Sequence, residues 1–229
     1  MSSKTICGAK LTKRLRDIFN KCLKAHYLKV ENDGSYFLAK QGSTLYIFLE
    51  SSNGKTDWAN NLDFLPTSMC KSCQLPTKPY KNMECCWFAH RGFVRVWKSI
   101  EPYVVQEILD PRYKKIVTVG YSHGAALAVL CHEFVWFRRP DLRQSIEGYG
   151  FGCPRVYWGA KQKKILRRWE NFIVIRNIND IVTHIPPIWL GFSHVGKMLI
   201  IGVKGKYSNV DAHRPENILK ELNFSANVR

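Results

Sequence analysis

The chain has 229 residues, 45% of them hydrophobic and 23% charged. That is enough apolar matter to enclose a core and fits a globular protein rather than a disordered one. The net charge of +17 reads either as a solvated basic surface or as the mark of an anionic partner: a phospholipid surface, an acidic ligand or nucleic acid. No nucleic-acid-binding signature accompanies the charge, and no nucleic-acid partner is expected.

Taken in order, the N-terminal stretch MSSKTICGAKLTKRL has no apolar run of the kind a signal peptide needs. The expected location is therefore cytoplasmic, with room for peripheral membrane association. Leu11, Leu15, Ile18, Phe19, Cys22, Leu23 and His26 then follow helical spacing. Lys10, Lys13, Arg14, Arg16, Lys21 and Lys24 occupy much of the remaining face. Such a basic amphipathic helix either packs on the domain or lies on a membrane surface, and packing is the favoured role. Ser35 to Lys40 and Thr44 to Glu50 read as strands joined at Gln41-Gly42-Ser43, a hairpin signal. Leu45 to Leu49 is apolar enough for a central strand.

Asn60 to Phe88 reads as irregular, with three prolines, a Cys70-x-x-Cys73 and a Cys85-Cys86 pair. One C-x-x-C alone is a weak zinc signal, since zinc sites usually combine two spaced motifs. Free thiols rank first here, ahead of a local disulfide. The other cysteines are Cys7, Cys22, Cys131 and Cys153, and reduced thiols are expected throughout. His90 to Asp110 is a helical pattern directing Phe93, Trp97, Ile100, Val104 and Ile108 inward, with Pro102 expected to kink or restart it.

Lys115 to Leu130, KIVTVGYSHGAALAVL, is the stretch around which the rest is arranged. Ile116 to Val119 is a β-branched run, Gly120-Tyr121-Ser122-His123-Gly124 a sharp turn, and Ala125 to Phe137 a helix too apolar to be exposed. Strand, G-x-S-x-G turn and helix in that order form the context of a nucleophile elbow. The two glycines flank Ser122 because a Cβ there would collide with a neighbouring element. The helix start supplies N–H groups for a developing oxyanion. Ile116 to Phe137 is long enough for a membrane span, but it contains Ser122, His123, His132 and Glu133.

Beyond it, Ile146 to Phe151 reads as a strand, Gly152 to Val156 as a turn, and Lys161 to Trp169 as a basic helix. Asn171 to Arg176 is a strand ending in Asn177-Ile178-Asn179-Asp180, and Met198 to Val203 is the last strand. Val210 to His213 is loop, and Pro215 opens a helix bearing Ile218, Leu219 and Leu222. No repeat or linker divides the chain, so residues 1–229 read as one domain. The alternation of helices and strands after the hairpin implies an α/β fold, with a mostly parallel central sheet and helices on both faces.

A serine nucleophile needs a base, and the base an orienting carboxylate. In α/β-hydrolases the order is Ser, then Asp or Glu, then His. Asp180 follows a strand and can face the Ser122 side. His184, His194 and His213 come after it. His194 precedes the last strand and so starts at the far end of a parallel sheet, which suits a structural role. His184 reads as a rim residue. His213 follows the last strand, on the correct side, and is the better base. The oxyanion donors expected are the N–H of His123 and a group at Ser51 or Ser52.

These residues resemble the class 3 lipases, the fungal-type triacylglycerol lipase family, from about Leu45 to His213. Ile116 to Ala128 looks like that family's elbow. His90-Arg91-Gly92-Phe93 is similar to its H-x-G-F segment, and Phe151 to Val156 to its F-G-S-P-R-V turn. Asn179-Asp180-Ile181-Val182, followed by Ile185-Pro186-Pro187, resembles the segment carrying the catalytic Asp. Gly191 to Gly196 resembles a segment whose His is not the base, and Asp211-Ala212-His213 the region with the catalytic His. Tyr121 and His123 stand where the family usually has His and Leu. Glu50 stands in place of a glycine in its F-R-G-[ST] loop. A lid helix would fall near Ser52 to Leu62, with Trp58 as its anchor. The resemblance implies hydrolysis of lipid or small carboxylic esters through an acyl-enzyme on Ser122, with no metal or organic cofactor. Phospholipase or thioesterase activity on the same triad, or a catalytically silent lipase-like binding module, remain the alternatives.

Overall fold

The computed structural model describes residues 9–50, 63–69 and 87–227. Ser51, Ser52 and Trp58, like Cys7, Cys70, Cys73, Cys85 and Cys86, lie outside the described residues.

Helix α1 spans Ala9–Leu23. Strands β1 (Leu28–Lys29), β2 (Ser35–Gln41) and β3 (Thr44–Leu49) follow as an antiparallel ribbon. Two short strands come next, β4 (Pro66–Ser68) and β5 (Phe88–His90), then helix α2 (Arg91–Leu109). β6 (Lys115–Tyr121) leads into α3 (His123–Arg138). β7 (Ile146–Phe151), β8 (Tyr157–Trp158), the one-turn helix α4 (Lys163–Leu166) and β9 (Phe172–Asn177) come after it. β10 (Phe192–Ser193), β11 (Lys197–Ile201) and α5 (Pro215–Asn227) complete the described elements.

Seven strands form the main sheet in the order β1-β2-β3-β6-β7-β9-β11. From β3 to β11 every pairing is parallel. The register sets Leu49 opposite Gly120, Gly120 opposite Gly150, Phe151 opposite Ile175, and Asn177 opposite Ile201. The carboxyl ends of five strands thus lie along one edge, where ligand sites of open parallel sheets form. As expected, the sheet is mostly parallel and covered on both faces.

Alternation along the strands divides the core. Leu45, Ile47 and Leu49 pack with α2 and α3, beside Val96, Ile100, Val104 and Ile108. Phe48, Val117, Val119, Phe151 and Ile175 pack on the opposite face against Leu15, Phe19, Ile218 and Leu222 of α1 and α5. The basic N-terminal helix therefore has the packing role. Each fully buried Phe or Leu of this kind contributes about 1.5–3 kcal/mol.

Helix α3 is central and buried almost all round. Its one acidic side chain, Glu133, meets the buried Arg168 at 2.6 Å and accepts a 2.9 Å hydrogen bond from Trp87 Nε1. Burial raises the Glu133 carboxyl to about 6, because the low-dielectric interior disfavours its charge.

Three expectations need correction. Asn60 to Phe88 is not wholly irregular: β4 and β5 join β8 and β10 in a second, antiparallel sheet of order β10-β8-β5-β4. Pro102 does not restart α2, which runs through it as one helix. The carbonyl it leaves without a helical donor belongs to Lys98, an exposed residue. Lys161 to Trp169 is not one helix but the single turn of α4 followed by a 3₁₀ turn, Arg167–Trp169.

Candidate active site

Ser122 occupies the single residue between β6 and α3, with φ 56° and ψ −123°. A non-glycine side chain in this region stores strain of about 1–3 kcal/mol. The turn is held by Ser122 N–H donating to the Phe151 carbonyl at 2.9 Å and by Ala125 N–H donating to the Ser122 carbonyl at 3.0 Å. Both flanking glycines are steric necessities. A Cβ on Gly120 would lie 2.0 Å from the Gly124 carbonyl oxygen, and one on Gly124 would lie 2.2 Å from that of Leu49.

The loop after β11 brings His213 onto the same edge, in a 3₁₀ turn, Asp211–His213. His213 Nε2 lies 2.8 Å from Ser122 Oγ. His213 Nδ1 lies 2.8 Å from Asp180 Oδ2. Asp180 is fully buried. Its other oxygen accepts from Val182 N–H at 2.9 Å, and Thr183 Oγ1 donates to its carbonyl at 2.8 Å. Serine hydroxyl, imidazole and carboxylate thus form one continuous line, contributed by the ends of β6, β9 and β11. With Nδ1–H committed to the carboxylate, Nε2 is left to accept the serine proton.

The remaining histidines are elsewhere. His194 Nε2 donates to the Thr183 carbonyl at 2.8 Å, buttressing the loop that carries Asp180. Burial lowers its imidazole to about 4, so it is neutral at pH 7. His184 is exposed and meets Arg176 through Nε2. Burial and two nearby arginines, Arg176 and Arg155, lower its imidazole. His123 is the first residue of α3, so its N–H is among those a helix cannot use internally. Its side chain is buried against Phe93, and burial holds it at about 4, neutral at pH 7. Glu50 is part-buried at the end of β3, with its carbonyl against Gly124. Its charge raises the Cys22 thiol and the Tyr27 phenol, although burial is the larger cause for both. Ser51, the other expected oxyanion group, lies outside the described residues. Among the described residues no cluster of three potential metal-ligating side chains forms.

Sequence reasoning left one site residue unread. Gly152 has φ +57°, and a Cβ there would lie 2.8 Å from His213 Cε1 and 3.1 Å from Asp180 Oδ2. Its hydrogen atom leaves the room in which imidazole and carboxylate meet. The signal was present in the Phe151-Gly152-Cys153-Pro154-Arg155 turn, but a turn glycine and a packing glycine look alike in sequence.

Residues 46–189 match the family described as Lipase (class 3). A lipase of Rhizomucor miehei is 30% identical over 160 residues, covering 67% of this chain and 40% of that protein. The chain thus spans less than half the length of that curated relative. Among solved structures, the triacylglyceride lipase of Rhizomucor miehei superposes with a TM-score of 0.64 at 23% identity, covering 88% of this chain and 82% of that one. A lipase from Rhizopus microsporus var. chinensis gives a TM-score of 0.65 at 20% identity over 95% and 87% of the two chains. At these identities the likeness is one of fold, the α/β-hydrolase fold.

Proposed function

Because the chain belongs to the class 3 lipase family, we propose that it is a serine hydrolase of carboxylic esters, with lipids as its substrate class. Ser122 Oγ attacks the acyl carbonyl while His213 Nε2 takes its proton. Asp180 orients the imidazole and offsets the charge it gains. His213 then protonates the leaving alcohol, and an acyl-enzyme remains. Water, deprotonated by the same imidazole, cleaves it. The backbone N–H of His123 and a group at Ser51 bind the developing oxyanion. The scheme needs no metal or organic cofactor, and residues 1–229 act as one domain.

The single observation that carries this reading is the Ser122–His213–Asp180 line, with both contacts at 2.8 Å. Replacing Ser122 by Ala should reduce turnover of a short p-nitrophenyl ester by several orders of magnitude, while circular dichroism stays that of the parent. Turnover within tenfold of the parent would end the assignment.

A phospholipid is favoured among lipids by the net charge of +17 and by apolar side chains exposed on the loops that carry the triad. Ile181 and Ile185 follow Asp180, Ile188 and Trp189 are 68% and 82% exposed, and Val210 precedes His213 at 68%. Apolar residues set in a basic surface suit an anionic membrane, where each Lys or Arg near the surface is worth about 1 kcal/mol. Sedimentation with phosphatidylglycerol vesicles should therefore fall steeply between low and moderate salt, while hydrolysis of a soluble neutral ester barely changes. Indifference to such vesicles at low salt would remove the membrane from this reading.

A further inference from the structure

Tyr121 ends β6 and immediately precedes Ser122. Its hydroxyl crosses 92 residues of sequence to donate to the His213 carbonyl at 2.7 Å. Its ring also lies against the His213 imidazole, with centroids 5.1 Å apart and planes 24° from parallel. Two contacts from one side chain thus reach the residue that must move the proton. Tyr121 also meets Phe19 edge-on at 5.6 Å, and Phe19 stacks on Phe151 at 4.2 Å. Phe19 is fully buried and belongs to α1.

We infer that Tyr121 is a positioning residue for the proposed hydrolysis, which fixes His213 by a hydroxyl tether and a ring stack and joins it through Phe19 to the N-terminal helix. The inference rests on the hydrolase reading above.

The physical need is specific. His213 sits in a single 3₁₀ turn just before Pro215. Proline offers no N–H, and Asn217 N–H donates to the Arg214 carbonyl, so the Tyr121 hydroxyl supplies the donor for the His213 carbonyl. Asp180 and Ser122 hold the two ring nitrogens at rest, but once Ser122 carries an acyl group only the Asp180 hydrogen bond remains, and the imidazole can swing about it. The flat phenol face removes that freedom. It also presents the negative face of an aromatic quadrupole to the imidazolium that forms when Ser122 attacks. Misplacing a catalytic group by about 1 Å can lower rates about a hundredfold, so both restraints act on kcat rather than on substrate binding.

The test compares Tyr121→Phe, which keeps the ring and loses the tether, with Tyr121→Leu, which loses both. Each full-length variant is assayed on p-nitrophenyl butyrate for kcat and KM, on a fluorophosphonate for the labelling rate of Ser122, and by thermal unfolding. Tyr121→Phe should lose about five- to tenfold in kcat, the scale of one hydrogen bond, with KM within about twofold and the unfolding temperature near the parent's. Tyr121→Leu should lose about ten times more, and the labelling rate should fall in step with kcat. A Tyr121→Phe enzyme within twofold of the parent in kcat, or losses confined to KM, would overturn the inference while the hydrolase reading stood. A parent inert towards both ester and phosphonate would overturn the hydrolase reading and this inference with it.

Discussion

His213 and His194 are nineteen positions apart and differ in what their surroundings let them do. His213 Nε2 faces a hydroxyl and Nδ1 faces a buried carboxylate. His194 spends its Nε2–H on a backbone carbonyl and is kept neutral by burial. We therefore expect His213→Ala to be as damaging to ester turnover as loss of Ser122. His194→Ala should retain turnover within about tenfold while losing roughly 1–3 kcal/mol of stability, measured by urea unfolding. A folded but inactive His194→Ala beside an active His213→Ala would reverse the two roles. Gly152→Ala makes a sharper test of geometry. The added methyl would meet His213 Cε1 at 2.8 Å on a backbone with φ +57°. Turnover should fall at least a hundredfold, since a shift of about 1 Å in the imidazole suffices for that. Parent-like kinetics would mean that the imidazole does not occupy this place during the reaction.

Among the elements, α3 carries the most consequence, because it holds the elbow at one end and a buried ion pair in its middle. Removing one partner of a buried pair leaves an uncompensated charge and costs about 3–5 kcal/mol. Glu133→Ala would remove the carboxylate that faces Arg168, which is 4% exposed, and deprive Trp87 Nε1 of its acceptor. We expect a loss of that size in chemical unfolding, and a much smaller loss in the double variant Glu133→Leu with Arg168→Leu. Equal losses would show that the pair itself is not what matters. This element was also the most legible in sequence, since a β-branched run, two glycines around a serine and an unbroken apolar stretch leave little choice of structure. The order Ser122, Asp180, His213 was readable for a related reason, because loops after parallel strands emerge on one edge. The second sheet was not readable. Its strands are two or three residues long, too short to show a period of two. That Pro102 would not restart α2 was not readable, because its effect depends on which face of the helix loses its donor, and sequence does not state that face. The interlocking of Gly152 with His213 and Asp180 was hidden too, as it joins residues from three loops.

For the whole molecule, the buried titratable groups set the response to acid. Burial lowers His123 and His194 from 6.5 to about 4 and His132 from 6.5 to about 3. All three are neutral in the fold but would take up protons in the unfolded chain below about pH 6.5. Their contribution is therefore full at neutral pH and is lost as pH falls through that window towards 4 and then 3. At pH 5 each has given up about 2 kcal/mol. Glu133, raised from 4.5 to about 6, works the other way, because acid relieves the penalty of burying its charge. That recovers only about 1 kcal/mol at pH 5. The net expectation is a loss of a few kcal/mol between pH 7 and pH 5, seen as a lower urea midpoint with an unchanged slope. A midpoint that holds or rises over this range would mean that these histidines are hydrated in solution.

The proposed role of Ser122 as a nucleophile activated by His213 and Asp180 is open to a simple measurement: treating the protein with a fluorophosphonate at neutral pH and mapping the adduct by peptide mass spectrometry. One equivalent of phosphonate is expected, all of it on Ser122, with no labelling of the His213→Ala protein under the same conditions. Absence of an adduct on the folded parent, or an adduct on any other serine, would contradict that role.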